Sequence, residues 1–301
     1  MKGCKRKLLK KLNRLLQRAK VPRFLHHFGP KKFTSWQHLK CVFLKRKLRE
    51  LSWRDLLELL PYFGITNVPH FTTLIKFAGR MPAYLWNLML SWSAEVDSAE
   101  VGAIDATGLS RTQPSSYYVK RIDREPDWSY VKLSAYVDVK RRRFLSARLR
   151  AKPRHDVKDV AYLLKHSPVK AETNLLDKGY DANWVHALFR EQGLFSIIPV
   201  RKGCTRGQYR KEMRDYFDHG QYWQRNIVES MFKSINSKFG NKLSSRKIAS
   251  QRSECYARLI LHNISRAIAR LFHLTRFGYF PTVVVLGKLY LFAVIPPHHA
   301  L

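Results

Sequence analysis

Acidic residues are the scarcest class relative to their counterparts. Twenty-two Asp and Glu stand against 56 Lys and Arg, which leaves a formal charge of +34 and a pI near 10.4. A surplus of that size calls for a polyanionic partner, and nucleic acid is the usual one. A short ribosomal-type tail protein is also this basic, but 301 residues with 13% aromatics suit a globular body with a full core. Cysteine is sparse as well. Cys4, Cys41, Cys204 and Cys255 are scattered with no C-x-x-C pair, which argues against a zinc site or disulfide framework and fits a reducing cytosol. The basic N-terminus is followed by no apolar signal core. Long hydrophobic runs are lacking too. The best, "YFPTVVVLGKLYLFAV" at 279–294, carries Pro281 and Lys288 and falls short of the ~20 residues a membrane helix needs. Its Val, Leu, Tyr and Phe content reads as one or two strands or a poorly specified tail. No internal repeat is evident.

What is present divides into four stretches. Residues 1–32 hold twelve Lys and Arg and no acid, with Leu8, Leu9, Leu12, Leu15 and Leu16 at helical spacing. This predicts an amphipathic basic helix, read as a phosphate-binding arm. Residues 33–95 predict a helical region. Thr34 or Ser35 caps a first helix through Leu48, Ser52 caps a second that stops at Gly64, and a third follows Pro69. A helix, a Gly-containing turn and a basic third helix resemble a helix-turn-helix, a weak signal that any three-helix bundle also gives. Residues 96–272 change to strands and then alternate. "EVGAIDATGLS", "VKLSAYVDV" and "FLSARLRA" read as strands, the last two antiparallel across the basic turn Arg141–Arg143. "HDVKDVAYLLKHS" is helical, "ETNLLDKGYD" a strand and turn, "DANWVHALFREQG" a helix with a Gly stop, and "LFSIIPVRK" a strand. A basic loop of about twenty residues precedes a last helix, "QYWQRNIVESMFKSINSKFG". The order predicts an α/β sheet with helices on its faces. Residues 273–301 form the apolar tail.

Three acids stand out by position. Asp105 interrupts an apolar strand, where a carboxylate is costly unless paired or on a metal. Asp177 closes the strand "NLLDKGY", at the carboxyl edge where open α/β sheets place their sites. Glu229 lies on the last helix, whose other nearby charges are Arg225, Lys233 and Lys238. At about 100° per residue, Tyr222, Arg225, Lys233 and Asn236 fall within roughly 40° of Glu229, while Val228, Phe232, Ile235 and Phe239 form a stripe about 90° away. One side is thus core, and its neighbour presents a carboxylate among cations and hydrogen-bonding groups. A plain surface helix with Arg225–Glu229 and Glu229–Lys233 pairs has the same pattern. The two strand-borne acids favour the alternative, an oxygen-rich cluster suited to Mg²⁺ or Mn²⁺. Such a cluster can hold two ions that activate a water or 3′-hydroxyl at phosphorus.

"AIDATGLS", "LLDKGYD" and "YWQRNIVESMFKSIN", in that order, resemble the catalytic motifs of insertion-sequence DDE transposases. Those enzymes carry the late signature Y-x2-R-x3-E-x6-K. The resemblance spans roughly residues 34–265 and implies an RNase H-like mixed sheet flanked by helices. It further implies Asp105, Asp177 and Glu229 as the metal-binding triad, with Tyr222 and Arg225 as signature partners. The signature lysine falls on Asn236, which can hydrogen-bond a phosphate but supplies no charge. Lys233 is the better cation on that face, since Lys238 projects about 180° from Glu229. "HDVKD" resembles the family's segment opening the helix after the third strand, and His155 and Asp156 are read as capping it rather than lining the site.

Two other acids compete. Asp181 is assigned the N-cap of "ANWVHALF", and Asp138 a solvent-facing position or the end of its strand. Arg206, Tyr209, Arg210 and Arg214 form a basic, aromatic-bearing segment expected to track DNA. Trp223 is left unassigned between base stacking and core. The expectation is a cytoplasmic, nucleoid-associated transposase that cuts at element ends and joins the freed 3′-hydroxyl to target DNA. It would use two Mg²⁺ or Mn²⁺ ions, bind terminal inverted repeats and target duplex, work as a homodimer or larger synaptic complex, and need no membrane. The rivals are a transposase-derived DNA-binding protein without catalysis, and an RNase H-like nuclease that cuts but does not join.

Overall fold

The computed structural model of the chain describes residues 2–26, 28, 31–48, 51–112, 116–121, 129–204, 206–276, 283–285 and 288–290. Five helices come first: α1 (Lys2–Arg18), α2 (Ser35–Lys47), α3 (Trp53–Leu59), α4 (Phe71–Arg80) and α5 (Ala83–Ala94). Their starts follow local chemistry. The Thr34 hydroxyl accepts from the Gln37 amide while Gln37 reaches back to the Thr34 N–H, and Ser52 and Asp55 repeat that reciprocal pair ahead of α3. Gly64, at φ 74°, ends the 3-10 turn that continues α3, in a conformation glycine adopts without strain.

The α/β part continues with β1 (Ala99–Arg111), α6 (Ser116–Arg121), β2 (Tyr130–Asp138), β3 (Arg143–Arg150), α7 (Val160–His166) and β4 (Ala171–Leu176). Then come α8 (Asn183–Arg190), β5 (Phe195–Ile197), α9 (Gln208–Asp215), α10 (His219–Tyr222), α11 (Asn226–Phe239), β6 (Lys242–Leu243) and α12 (Ile248–Arg276). The sheet order is β3-β2-β1-β4-β5, with β6 pairing the far end of β1. β2 is antiparallel to β1 and β3, whereas β4 and β5 run parallel to β1 and to each other. This is the mixed, helix-flanked α/β sheet the sequence predicts. Further on, β7 (Val283–Val285) and β8 (Lys288–Tyr290) pair antiparallel; the rest of the apolar tail lies outside the described residues. Among the described residues no helix is long and apolar enough to cross a membrane.

Strand alternation sorts the core into two layers. Val101, Ala103, Ala135, Val137 and Leu175 face α11, α12 and α5, and pack with Val228, Phe232, Ile235, Ile260 and Trp86. Their sequence neighbours Ile104, Tyr136 and Leu176 face the other way, onto Val160 and Leu163 of α7 and Val185 and Phe189 of α8. Each Val, Leu, Ile or Phe among them contributes about 1.5–3 kcal/mol on burial. Gly102 is required where the sheet is most crowded. A Cβ there would stand 2.6 Å from Cε2 of Tyr136, whose hydroxyl is fixed by Asn174 and the Ala171 amide.

Three expectations change. The segment read as a basic arm holds α1, and Leu8, Leu12, Leu15 and Leu16 are buried in the first core layer, with Lys7, Lys10, Arg14 and Arg18 exposed. A leucine stripe finds an apolar partner in α5 and α2, so the helix forms a wall of the body. Likewise the helical region shares one continuous core with the sheet. Trp86 Nε1 donates to Ser253 Oγ of α12 (3.1 Å), and the Tyr256 hydroxyl bonds Asn87 and the Ala147 carbonyl. Finally, the basic loop before the last helix contains α9, which buries Met213.

Candidate active site

Asp105 sits in the middle of β1, on the same face as Ala103, toward α11. Ile104 is in register with Leu176, so Asp105 and Asp177 are the next residues on adjacent parallel strands, where chains lie about 4.8 Å apart. β4 stops there and the chain turns away, which puts Asp177 at the strand's carboxyl end. From above, α11 brings Glu229 in its first turn, anchored by the buried stripe Val228, Phe232, Ile235 and Phe239. Arg225 connects the layers. Its Nη1 lies 3.4 Å from Asp105 Oδ2 and its Nη2 2.7 Å from Glu229 Oε1, so one guanidinium spans both carboxylates.

Burial pushes the Asp105 carboxyl up to about 6. The Ala106 N–H, 2.8 Å from Oδ1, and the Arg225 charge oppose the rise, while the like charges of Asp177 and Glu229 add to it. Carboxylates arranged this way favour a cation among them. In the free chain Arg225 provides one. Among the described residues no three His, Cys, Asp or Glu side chains converge on a single ion position as oriented. The donor set nevertheless suits hard divalent cations, being all carboxylate oxygen. Accommodating an ion requires the Arg225 guanidinium to yield the space it spans.

A second acid lies beside Asp177. At Gly179 a Cβ would stand 3.8 Å from Oδ2 of both Asp156 and Asp177. Asp156 therefore lines the site's rim, and pairs with Lys132, instead of capping the 3-10 turn (Asp156–Asp159) it opens; His155 likewise makes no side-chain cap. Lys132 of β2 is almost buried, and Asp156 supplies the counter-charge that its ammonium needs there. Tyr180 is a feature sequence reasoning missed. It is 1% exposed, its hydroxyl has no partner among the described residues, and its acidity is suppressed first by burial and then by Asp156, Asp105, Asp159 and Asp177. The only signal was its place one turn beyond Asp177.

The remaining candidates separate. Tyr222 is half-buried against the Phe217 ring, and burial raises its hydroxyl. Lys233 is exposed. Asn236 is half-buried, and its Oδ1 lacks a partner among the described residues. Lys238 lies near Lys47 and Arg266, away from the acids, as helical geometry predicts. Trp223, left open from sequence, is 71% exposed. Arg206 is exposed, but Arg210 is not available in the same way. Its Nε donates to Asp181 Oδ1 at 2.7 Å and a second nitrogen to the Asp181 carbonyl. That pair also corrects the role of Asp181, which is buried, accepts the Arg201 amide and caps nothing; the N-cap of α8 is Ala182. Asp138 ends β2 as expected but is 1% exposed, held by the Arg141 amide and guanidinium.

A family model described as Transposase DDE domain matches residues 97–264, a stretch that includes Asp105, Asp177 and Glu229. No curated protein matches. Among solved structures, the piggyBac transposase synaptic complex with hairpin DNA is similar at 11% identity and a TM-score of 0.45, over 89% of this chain and 77% of that one. The Drosophila P element transposase strand transfer complex is similar at 11% identity and a TM-score of 0.31, over 89% and 87%. Because the family model covers more than half of the 301 residues and its span holds all three acids, the chain belongs to the Transposase DDE domain family and is an enzyme of the transposase kind.

Proposed function

We propose that Asp105, Asp177 and Glu229 jointly hold Mg²⁺ or Mn²⁺, two ions in all, and that the chain cuts at element ends and joins them to target DNA. The observation that carries this is the Arg225 guanidinium reaching Asp105 and Glu229 at once, with Asp177 next to Asp105 by strand register. When bound, the ions would activate a water or a 3′-hydroxyl and stabilise the leaving oxygen at phosphorus. The chain's own residues do the rest. Arg225 balances the charge of two acids and lies within reach of a phosphate beside them, where a planar fork binds in a bidentate manner. Lys233, exposed on the Glu229 side, supplies the charge that Asn236 lacks, and Asn236 offers an amide. Exposed Trp223 is placed to stack on an unpaired base near the cut. Arg206 contacts the backbone, while Arg210 shapes that segment through Asp181.

The partners are double-stranded DNA, as terminal inverted repeats and as target, and a second copy of the chain, since two ends must be joined together. The site of action is the cytoplasm, on the nucleoid. A strand-transfer assay tests this reading. Pre-cleaved, labelled ends incubated with supercoiled plasmid and Mn²⁺ should yield covalently joined products. Nicking without joining would mark a nuclease, and binding without either would mark a DNA-binding protein; both outcomes contradict the proposal.

A further inference from the structure

A cavity of about 450 Å³ lies outside the acid cluster and is lined by Arg148, Arg150, Lys152, Arg154 and Arg252, with no acid in its wall. It opens where edge strand β3 ends. Arg150 is in register with Lys132, and Lys132 with Gly108 of β1, so β3 runs out at the same end of the sheet as Asp105. Two strands across and three residues along put it on the order of 14 Å from Asp105, about four steps of a DNA strand at 3.4 Å each.

The cavity is built rather than merely basic. Asp159, fully buried beneath it, pairs with Arg150 Nε at 2.7 Å and with Arg148 at 3.3 Å, and Arg148 also lies over the Tyr162 ring at 4.3 Å. Both guanidinium groups are thereby held in place with further N–H groups to offer, which lowers the ordering cost of binding. Lys152, Arg154 and Arg252 have no carboxylate within ion-pair distance among the described residues. Ala83 and Ile248, the first residues of α5 and α12, also line the wall. α5 has no side-chain cap, and the positive ends of the two helices add to the same field.

We infer that this cavity binds a backbone phosphate of duplex DNA and anchors the strand whose cut end lies at the three acids. The inference rests on the transposase reading for the placement of the cut end, but not for the binding itself. The test compares Lys152→Ala/Arg252→Ala with Lys165→Ala/Lys170→Ala, which removes the same charge from exposed positions near the opposite end of the sheet, where β4 begins. Circular dichroism first establishes that both proteins fold; the exposed Lys152→Glu variant is the substitute if the double variant does not. Duplex binding is then read by fluorescence anisotropy from 50 to 200 mM salt. The cavity variant should bind about tenfold more weakly, with the slope of log affinity against log salt reduced by about one, as loss of one phosphate contact requires. The control should stay within about twofold of wild type. A cavity variant that matches the control overturns the inference. So does competition by ATP or inorganic phosphate at micromolar concentration, which would make this a free-anion site. If wild-type protein joins no DNA ends but the cavity variant still loses affinity, transposition is removed and the anchor stands.

Discussion

Replacing Asp105 by Asn should reduce divalent-metal-dependent strand cleavage by more than about 10³-fold, because metal assistance supplies several kcal/mol and each 1.36 kcal/mol is tenfold. The substitution is nearly isosteric. Its amide oxygen can still accept the Ala106 N–H, and the shape facing α11 is kept. What disappears is the charge, and with it the like-charge repulsion that Asp177 and Glu229 exert on this carboxyl. Folding should therefore be unimpaired, and duplex binding equal to wild type or tighter, since one fewer negative group faces phosphate. Plasmid nicking and anisotropy measured on the same preparation check both halves. Undiminished cutting by Asp105→Asn would remove Asp105 from the chemistry.

The largest stability effect should come from a different acid, Glu254 of α12. It is 1% exposed, accepts from Arg258 at 2.6 Å and from the backbone amides of Ser244 and Ser245, and is ion-paired with Arg46 of α2 at 3.0 Å. It therefore ties the N-terminal helices, the long helix and the turn after α11 to one point. Glu254→Ala would leave Arg46 and Arg258 buried without their counter-charge, at a cost of about 3–5 kcal/mol. That should lower the thermal midpoint by roughly 10 °C. The pH dependence has a definite sign. Burial alone would raise this carboxyl, but Arg46, Arg258 and the serine donors outweigh it and hold the group below its ordinary 4.5. Its contribution is complete above pH 4.5 and is lost as pH falls through the lowered folded value. Denaturant midpoints of wild type and Glu254→Gln should accordingly converge in acid and separate above pH 4.5. Constant separation at every pH would show that the charge is not what matters.

The parts of this molecule governed by local chemistry were legible beforehand. Thr34 and Ser52 announce helix starts because a hydroxyl before a helix has only nearby amides to satisfy. The sheet's strands show as short apolar runs because each faces two apolar layers, and Asp105 is conspicuous because a carboxylate in such a strand must have a reason. The parts decided by distant partners were not legible. Asp181 has the look of an N-cap, yet Arg210, 29 residues on, claims it; a guanidinium and the Arg201 amide together offer a buried carboxylate more than the amides of a helix start. Asp156 looked like a cap too, until the fold brought Lys132 and Asp177 beside it. The leucine stripe of α1 suits an arm, a membrane surface or a core wall equally, and only the apolar faces of α2 and α5 decide among them. α9 was missed because "QYRKEMRD" offers a single buried residue, Met213, and so no periodicity to read.

The claim on which most depends is that Asp105, Asp177 and Glu229 share divalent ions. Crystals of the full chain with a DNA end, grown in Mn²⁺ and measured at the manganese absorption edge, test it directly. Anomalous density is expected between β1, β4 and α11, within about 2.0–2.5 Å of oxygens from all three carboxylates, with Arg225 turned away from the space it now spans. Manganese bound elsewhere, or ligated there by fewer than all three acids, would contradict it.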